Sequence, residues 1–431
     1  MPRFLNQQDI KTLTLSSLGG MLEFYDFIIY VFFASVISVL FFPPSLDSFW
    51  ASLNTYGAFA AGYFARPIGG IIMAHFGDKS GRKKMFMLSI LLMVIPTFTL
   101  GLMPTFETIG YTAPIILVLI RILQGIAIGG ELPGAWVFVC EHTPPQHTGF
   151  GIGILTAAVV LGILLGSLVT LGIYVRFSQE EIIAYAWRIP FVLGGIFGVI
   201  SVFLRRYLEE TPIFKEMYES DSLHSLPIKQ VLKNAKKDVA VSILATWILT
   251  GCIVIMVLLM PNFMQESLSI DKPTAMLMQM SAIIFISLGV IGAGFLGDIL
   301  GNAKVMVFFS LGLMGTSFIF LSKVYAFELG TETLAKGSLN EVWRWYCISG
   351  VFVGVVTFTP IAMLQAFEPS IRFSGLSASY NVAYAVFGGL TIYFAPILHQ
   401  IYPLGLGLYL VLMGLIGLCV SLSLKNTRIT Q

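Results

Sequence analysis

Six ionisable side chains lie within long apolar stretches of the chain, where an isolated charge is costly. They are Glu23, Asp26, Arg66, Arg121, Glu131 and Glu141. A carboxylate beside an arginine that moves can bind a proton in one conformation and release it in another, because its proton affinity depends on the distance to that cation. A buried guanidinium can also bind a carboxylate ligand through paired hydrogen bonds. This pattern therefore indicates proton exchange, anion binding, or both.

The helical rise of ~1.5 Å per residue predicts which of these groups meet. Asp26 and Arg121 fall at similar depth if their segments cross a membrane in turn. Glu23 falls level with Arg66 and Glu131. We predict that the proton-coupling residues are Asp26, Glu23, Glu131 and Arg121. The alternative for both arginines is a structural ion pair that holds helices in register.

Polar and aromatic side chains in other apolar stretches predict a binding site for a small solute. The predicted substrate-binding residues are Arg121, Tyr25, Arg66, Gln124, Trp247, Gln365, Tyr380, Asn381 and Tyr384. Tyr380 and Tyr384 are four residues apart and share a helix face. Aromatic rings on one face can hold a quaternary ammonium group by cation–π attraction. Ordinary packing, or a belt of aromatics at the membrane interface, is the alternative.

The composition indicates that these residues lie in apolar helices that cross a membrane. Of 431 residues, 56% are hydrophobic and 11% are charged, whereas soluble domains carry about 25% charged residues. Twelve segments have the length of a membrane span. They lie near 12–40, 50–76, 85–103, 113–140, 149–175, 186–207, 239–264, 275–297, 304–322, 342–366, 371–398 and 403–424. We predict an all-α membrane protein with twelve transmembrane helices.

The domain organisation and the orientation follow from the loops. The longest charged segment divides the chain into a six-helix bundle at 1–207, a cytoplasmic linker at 208–238 and a second, pseudo-symmetric six-helix bundle at 239–431. Of the 25 Lys and Arg residues, 17 fall on the side of the termini, including Arg3, Lys425 and Arg428, and 6 on the other side. Because cytoplasmic loops are rich in these residues, both termini are predicted to be cytoplasmic.

Several function classes lose support at this stage. A net charge of +2 gives no basis for nucleic-acid binding. The four cysteines have neither CxxC nor zinc-ligand spacing, so no metal site is predicted. The five histidines are scattered, and no catalytic constellation is visible, so we expect no enzyme. A non-transporting membrane sensor would need a longer soluble segment than any loop provides.

A short motif occurs once in each half. Residues 77–83 read Gly-Asp-Lys-Ser-Gly-Arg-Lys, and residues 297–304 read Gly-Asp-Ile-Leu-Gly-Asn-Ala-Lys. The first copy resembles the signature of the major facilitator superfamily between its second and third spans. Residues 121–125, Arg-Ile-Leu-Gln-Gly, followed by Gly-Gly-Glu at 129–131, resemble the signature of its fourth span.

Four further stretches resemble the metabolite:proton symporter family within that superfamily. They are Glu-Phe-Tyr-Asp-Phe at 23–27, Ala-Arg-Pro-Ile-Gly-Gly at 65–70, Trp-Arg-Ile-Pro-Phe at 187–191 and Glu-Thr-Pro with a following Phe at 210–214. The resemblance implies the major facilitator fold. It also implies proton-coupled import of a small organic acid or zwitterion, such as α-ketoglutarate, citrate, shikimate, proline or betaine.

The resemblance further implies a multi-pass protein of the bacterial inner membrane that works by alternating access. Its energy source would be the proton gradient, with no cofactor, and we expect a monomer in the lipid bilayer. An exporter, an antiporter or a uniporter of the same fold is the alternative.

The repeated motif also predicts a latch that forms in one conformation and breaks in the other. An aspartate at a helix end can pair there with cations of a neighbouring span. The predicted latch residues are Gly77, Asp78, Gly81, Arg82, Lys83, Glu141 and Asp298. The second copy has lost most of its cations, so we expect a weaker latch on that side.

Overall fold

The computed structural model describes residues 5–220, 227–328 and 336–424, and within these ranges the chain forms helices and no strands. Three cations used to predict the orientation, Arg3, Lys425 and Arg428, lie outside the described residues. The start of the first predicted bundle, the end of the second and part of the linker also lie outside the described residues. The division into domains therefore stays a prediction.

Six long helices form the N-terminal half. They are α1 (Gln7–Phe32), α2 (Ser48–Ser80), α3 (Arg82–Leu102), α4 (Thr112–His142), α5 (Thr148–Arg176) and α6 (Arg188–Arg205). A short helix, Ala34–Phe41, continues α1 after a break at Phe33. Two further short helices, Pro212–Glu219 and Pro227–Asn234, follow α6.

Six long helices also form the C-terminal half, and three of them change their winding midway. The uninterrupted ones are α8 (Lys272–Leu300), α9 (Asn302–Glu328) and α12 (Gly405–Ser421). Helix α7 runs through Lys236–Ile253, a π turn at Val254–Leu259, and Met260–Leu268. Helix α10 runs through Lys336–Phe352, a 3-10 turn at Val353–Thr357, and Phe358–Ala366. Helix α11 runs through Arg372–Ala383, a π turn at Tyr384–Gly388, and Gly389–Ile401.

The twelve predicted spans coincide with these twelve helices in the described part of the chain. Ten of the helical segments are long and apolar enough to cross a membrane. Helix α12 is a shorter apolar helix, and α2, with 33 residues, exceeds the length of about 20 that a span requires. The all-α transmembrane fold is therefore confirmed.

Capping side chains and glycines fix where several helices begin. Asn6 and Asp9 form a reciprocal capping box at the start of α1, with N–H···O distances of 2.8 and 3.0 Å. Gly81, between α2 and α3, has φ +115°, and Gly301, between α8 and α9, has φ +96°. Side chains rarely adopt this backbone conformation, so glycine is required at both turns. The repeated motif thus makes the same sharp turn in each half.

Small residues bring α2 and α4 into close contact. The carbonyl oxygen of Gly62 lies where a Cβ on Gly125 would stand, and the carbonyl oxygen of Arg66 lies against Gly129 in the same way. Glycine allows this approach because it has no side chain to separate the backbones. The contact fixes the height of Arg66 relative to α4.

Side chains stabilise the π turn of α7 by binding carbonyl groups within it. Gln279 of α8 donates to the carbonyl of Val257 at 2.7 Å, and the hydroxyl of Tyr346 in α10 donates to the carbonyl of Met256. Irregular winding in the membrane interior requires such partners, because lipid cannot provide them.

Candidate functional site

The six predicted ionisable groups face the interior of the bundle. Their exposed fractions are 1% for Glu23, 4% for Asp26, 2% for Arg66, 4% for Arg121, 0% for Glu131 and 2% for Glu141. None of them points toward lipid, so each acts on other groups inside the protein.

Asp26 and Arg121 belong to one hydrogen-bonded chain. The side-chain nitrogen of Gln124 donates to Asp26 at 2.7 Å and to the hydroxyl of Thr97 at 2.9 Å. Arg121 donates to the amide oxygen of Gln124 at 2.7 Å, and its guanidinium lies 4.1 Å from the ring centre of Tyr30. The similar depth of Asp26 and Arg121 is confirmed, but Gln124 connects them.

Glu131 has different partners from those predicted. Its carboxylate forms an ion pair with Arg205 of α6 and accepts a hydrogen bond from Ser89 of α3. The predicted layer of Glu23, Arg66 and Glu131 is confirmed, since both other groups lie within electrostatic range of Glu23. The direct partners of Glu131, however, come from α3 and α6 and were not predicted.

Arg66 contacts the C-terminal half of the protein. It donates to the hydroxyl of Tyr380 at 3.4 Å and to the side-chain oxygen of Asn381 at 3.5 Å. Its guanidinium carbon lies 4.2 Å from the ring centre of Tyr384. The amide of Asn381 also donates to the carbonyl of Gly129 at 2.7 Å, so α11 is joined to both α2 and α4 here.

Glu23 is buried without a hydrogen bond to either carboxylate oxygen among the described residues. The charged groups that act on it electrostatically are Arg66, Glu131 and Arg205. Since Arg205 already neutralises Glu131, Arg66 is the cation that balances Glu23.

Two cavities meet this region. One is lined by Arg66, Arg121, Gln124, Tyr63 and neighbouring small or apolar residues. The other is almost entirely apolar and has walls from both halves of the protein. Its lining includes Phe24, Leu132, Trp136, Val159, Leu249, Val356 and Tyr384. The polar cavity thus presents two guanidinium groups, and the apolar one presents alkyl and aromatic surface.

Five predicted substrate-binding residues are not among those that line these two cavities. Of these, Tyr380 and Asn381 contact Arg66, and the other three lie elsewhere. The hydroxyl of Tyr25 donates to the carbonyl of Pro190 at 2.9 Å, which fastens α1 to α6. Trp247 donates to the hydroxyl of Tyr409 at 2.7 Å and stacks on Phe387. Gln365 lies in the last turn of α10. The polar atoms of Tyr25 and Trp247 thus already have partners within their own halves of the protein. Both side chains contribute to the packing of those halves.

The first predicted latch joins the two halves. Asp78 accepts a hydrogen bond from the backbone N–H of Ser374 at 2.8 Å, at the start of α11. Glu141 forms ion pairs with Arg82 of α3 and with Arg372 of α11, the latter at 3.2 Å. Asp78 and Arg82 lie 3.6 Å apart. We call this contact the first latch.

Three neighbours of the first latch have other contacts. Gly77 lies against the ring of Phe373 in α11, with no room for a side chain. Lys83 contacts the segment that follows α6, where its backbone N–H donates to Glu210 at 3.2 Å. Cys140 is 1% exposed and lies within electrostatic range of both latch arginines.

The second copy of the motif forms an equivalent contact, the second latch. Asp298 of α8 accepts hydrogen bonds from the backbone N–H groups of Gly149 and Phe150, at 2.8 and 2.7 Å, where α5 begins. The expectation of a weaker contact does not hold for its geometry. Asp298 binds the positive end of a helix, so it needs no side-chain cation.

We expect Asp298→Ala to open the latched end of the protein about as strongly as Asp78→Ala does. Each substitution removes hydrogen bonds to a charged group, worth roughly 1.5–3 kcal/mol, or about 10- to 150-fold in the ratio of closed to open protein. Electron-resonance distances between spin labels at Lys84 and Glu368, both exposed, measure that ratio. Asp271→Ala, an exposed aspartate of the opposite loop, is the control. An unchanged distance distribution in Asp298→Ala alone would show that only the first latch closes the protein.

Several residues of this site are not among the predicted ones. Arg205 and Arg372 belong to the 17 cations assigned to the side of the termini, yet they are 0% and 2% exposed. Thr97, Ser89 and Tyr63 carried no signal, since such residues occur throughout apolar helices. Because Arg205 and Arg206 are adjacent in the sequence, the sequence did not indicate that one is buried and the other exposed.

Comparison with known proteins supports the architecture. The family described as the Major Facilitator Superfamily matches residues 27–330. The inner membrane metabolite transport protein YhjE of Escherichia coli is 30% identical over 428 residues, which cover 97% of this chain and 94% of that protein. The proline/betaine transporter of Salmonella typhimurium is 30% identical over 431 residues, which cover 97% and 83%.

Solved structures share the fold at low sequence identity. The proton:xylose symporter XylE bound to 6-bromo-6-deoxy-D-glucose superposes with a TM-score of 0.76 at 16% identity, covering 96% of this chain and 94% of that one. The E. coli fucose:proton symporter FucP gives 0.67 at 14% identity, covering 96% and 97%. XylE in a partially occluded inward-open conformation gives 0.65 at 15% identity, with 97% coverage of both chains.

Proposed function

This chain belongs to the major facilitator superfamily, and we propose that it is a symporter that imports a small organic acid or zwitterion together with a proton. Membership of this family makes the chain a membrane transporter. We further propose that it lies in a bacterial inner membrane with both termini cytoplasmic.

The observation that carries the proposal is the buried chain from Asp26 through Gln124 to Arg121. Gln124 and Arg121 line the polar cavity, and Asp26 accepts its hydrogen bond from Gln124 directly behind them. A titratable acid is thus connected, through the two hydrogen bonds of one glutamine, to a cation that can bind a carboxylate.

Coupling follows from the hydrogen bonds that Gln124 can make. While Asp26 is ionised, it accepts a hydrogen bond from the Gln124 amide, whose oxygen in turn holds Arg121. A proton on Asp26 removes the charge that orients this chain, and Arg121 becomes available to a substrate carboxylate. Proton and substrate therefore bind together, as symport requires.

The two latches supply the conformational change. Both lie at the end of the bundle where α2 meets α3 and α8 meets α9, and both are closed in this structure. That end is the predicted cytoplasmic one, so the central cavities would load from outside. Breaking both latches would let the halves rock and release the load inside.

Uptake into proteoliposomes tests the proposal. Vesicles with the full chain are given an inward proton gradient, and uptake of labelled proline, glycine betaine, succinate and citrate is compared with vesicles at equal pH. We expect accumulation of at least one of them above its outside concentration only with the gradient. Equal uptake in both conditions would indicate a uniporter, and gradient-driven efflux from preloaded vesicles would indicate an exporter.

We expect Arg121→Ala to weaken binding of a carboxylate substrate by about 100-fold or more, because a charge-assisted hydrogen-bonded pair is lost in a buried site. Isothermal titration on the purified protein measures this with whichever substrate the uptake experiment identifies. Arg176→Ala, at the exposed end of α5, is the matched control. Unchanged affinity in Arg121→Ala would exclude it from carboxylate recognition.

A further inference from the structure

Three tyrosine rings surround the guanidinium of Arg66. The distances from its Cζ to the ring centres are 4.2 Å for Tyr384, 5.7 Å for Tyr380 and 5.8 Å for Tyr63. Tyr63 comes from α2 and the other two rings come from α11. We call these three rings the tyrosine cage. All three distances are within the range of a cation–π contact.

The rings of the tyrosine cage are held in place by one another. Tyr63 stacks on Tyr384 at 5.8 Å, Tyr380 lies 5.4 Å from Tyr384, and Trp136 packs edge-on against Tyr380 at 5.0 Å. Tyr384 is also the first residue of the π turn in α11. A rigid aromatic site of this kind binds a cation without rearranging.

The hydrogen bonds of Arg66 to this site are long. They measure 3.4 Å to Tyr380 and 3.5 Å to Asn381, whereas N–H···O bonds usually measure about 2.7–3.2 Å. The rings therefore make the main contact, and a cation without hydrogen-bond donors could replace the guanidinium at small cost. The lining of the cavity next to Tyr384 is apolar, as contact with the methyl groups of such a cation requires.

Glu23 provides a second possible position for the guanidinium of Arg66. Glu23 is 1% exposed, and its carboxylate oxygens accept no hydrogen bond among the described residues. It lies within electrostatic range of Arg66, and the other acid nearby, Glu131, already pairs with Arg205. The carboxylate of Glu23 can therefore accept hydrogen bonds from the guanidinium once another cation takes its place against the rings.

We propose that the tyrosine cage is the cation subsite of the transporter, occupied by Arg66 when empty, and that the ammonium group of a zwitterionic substrate displaces Arg66 toward Glu23. The carboxylate of the same molecule binds Arg121, which lines the same cavity as Arg66. This inference rests on the proposed function and narrows its substrate class to small zwitterions with an alkylated ammonium group. A dicarboxylate would instead require Arg66 to stay as a second anion site.

Titration calorimetry on the purified full chain with glycine betaine tests the ring contribution. We expect Tyr384→Leu to weaken binding about tenfold or more, and Tyr384→Phe to keep it within about threefold, because the ring carries the attraction. Tyr393→Leu, on the same helix but 67% exposed, is the control. Equal affinities of the Leu and Phe variants would overturn the proposal, as would absence of betaine binding to the unmodified protein.

The double variant Glu23→Gln with Arg66→Gln tests the displacement. It empties the cage without changing the net charge, so betaine no longer has to displace a cation, and we expect its affinity to be equal or higher. Thermal unfolding shows whether this variant folds. If it does not fold, the comparison of Tyr384→Leu with Tyr384→Phe still tests the proposal. Loss of betaine binding in a folded double variant would overturn the proposal.

Succinate separates failure of this proposal from failure of the proposed function. If succinate binds, is accumulated with a proton gradient, and loses its binding in Arg66→Gln, the substrate is an acid and Arg66 stays in its site. The cage proposal then falls while symport stands. If none of the four solutes of the uptake experiment responds to the gradient although betaine binds through the cage, the cage stands and symport falls.

Discussion

Replacing Asp26 with asparagine is expected to abolish accumulation of substrate against its gradient while leaving exchange intact. Asparagine has the same shape and can still accept the hydrogen bond from Gln124, so the site should persist. It cannot carry a proton, so the proton gradient loses its connection to the substrate. For one proton per substrate, one pH unit supports about tenfold accumulation, and in this variant the ratio should fall to about one.

Two assays on the same proteoliposomes separate these effects. Gradient-driven uptake measures accumulation, and counterflow of labelled against unlabelled substrate measures exchange without net proton movement. Asp271→Asn, an exposed aspartate at the start of α8, should behave like the unmodified protein in both. If Asp26→Asn accumulates substrate to the same ratio as the unmodified protein, Asp26 is not the coupling residue. Glu23 would then be the next candidate.

The second large effect is expected from Arg205→Met. This change leaves Glu131 ionised in a fully buried site without its partner, which costs roughly 3–5 kcal/mol. The protein should unfold at lower denaturant concentration and reach the membrane in reduced amount. Arg206→Met changes the adjacent, exposed arginine, and a surface substitution of this kind stays within about 0.5 kcal/mol. Unfolding by denaturant in lipid bicelles measures both.

A rescue variant identifies the cause. In Arg205→Met combined with Glu131→Gln, no charge is left unpaired, and the amide can still accept from Ser89. We expect most of the stability to return, since replacing both partners of a buried pair costs far less than removing one. If Arg205→Met is as stable as Arg206→Met, or if the double variant is no better than the single one, Glu131 is not the reason for burying Arg205.

The sequence was sufficient for the spans and for the set of buried acids, because both depend on composition and on rise along a helix. Depth placed Asp26 near Arg121 correctly. It could not say which side of α4 each residue faces, so Arg205 was not predicted as the ion-pair partner of Glu131. Residues 121 and 131 are ten positions apart on α4. The helical rise predicts the depth of both equally well, yet their side chains can face different neighbouring helices.

The contacts between the halves were the least predictable. The motif copies indicated that Asp78 and Asp298 act alike, but not that both bind helix N-termini. Nor does any spacing reveal that Tyr63 of α2 joins Tyr384 of α11, because the two rings are separated by more than 300 positions and meet only when the halves are docked. Pairing across a pseudo-symmetric interface depends on tertiary packing.

The burial of Cys140 within the first latch gives the protein a natural chemical reporter. Its thiol lies beside the two arginines that pair with Glu141, whereas Cys419 is exposed. We therefore expect an alkylating reagent to reach Cys140 faster when the first latch is open. Mass spectrometry of the alkylated peptide would compare, in native membranes and without an introduced label, the opening of the latch with and without substrate.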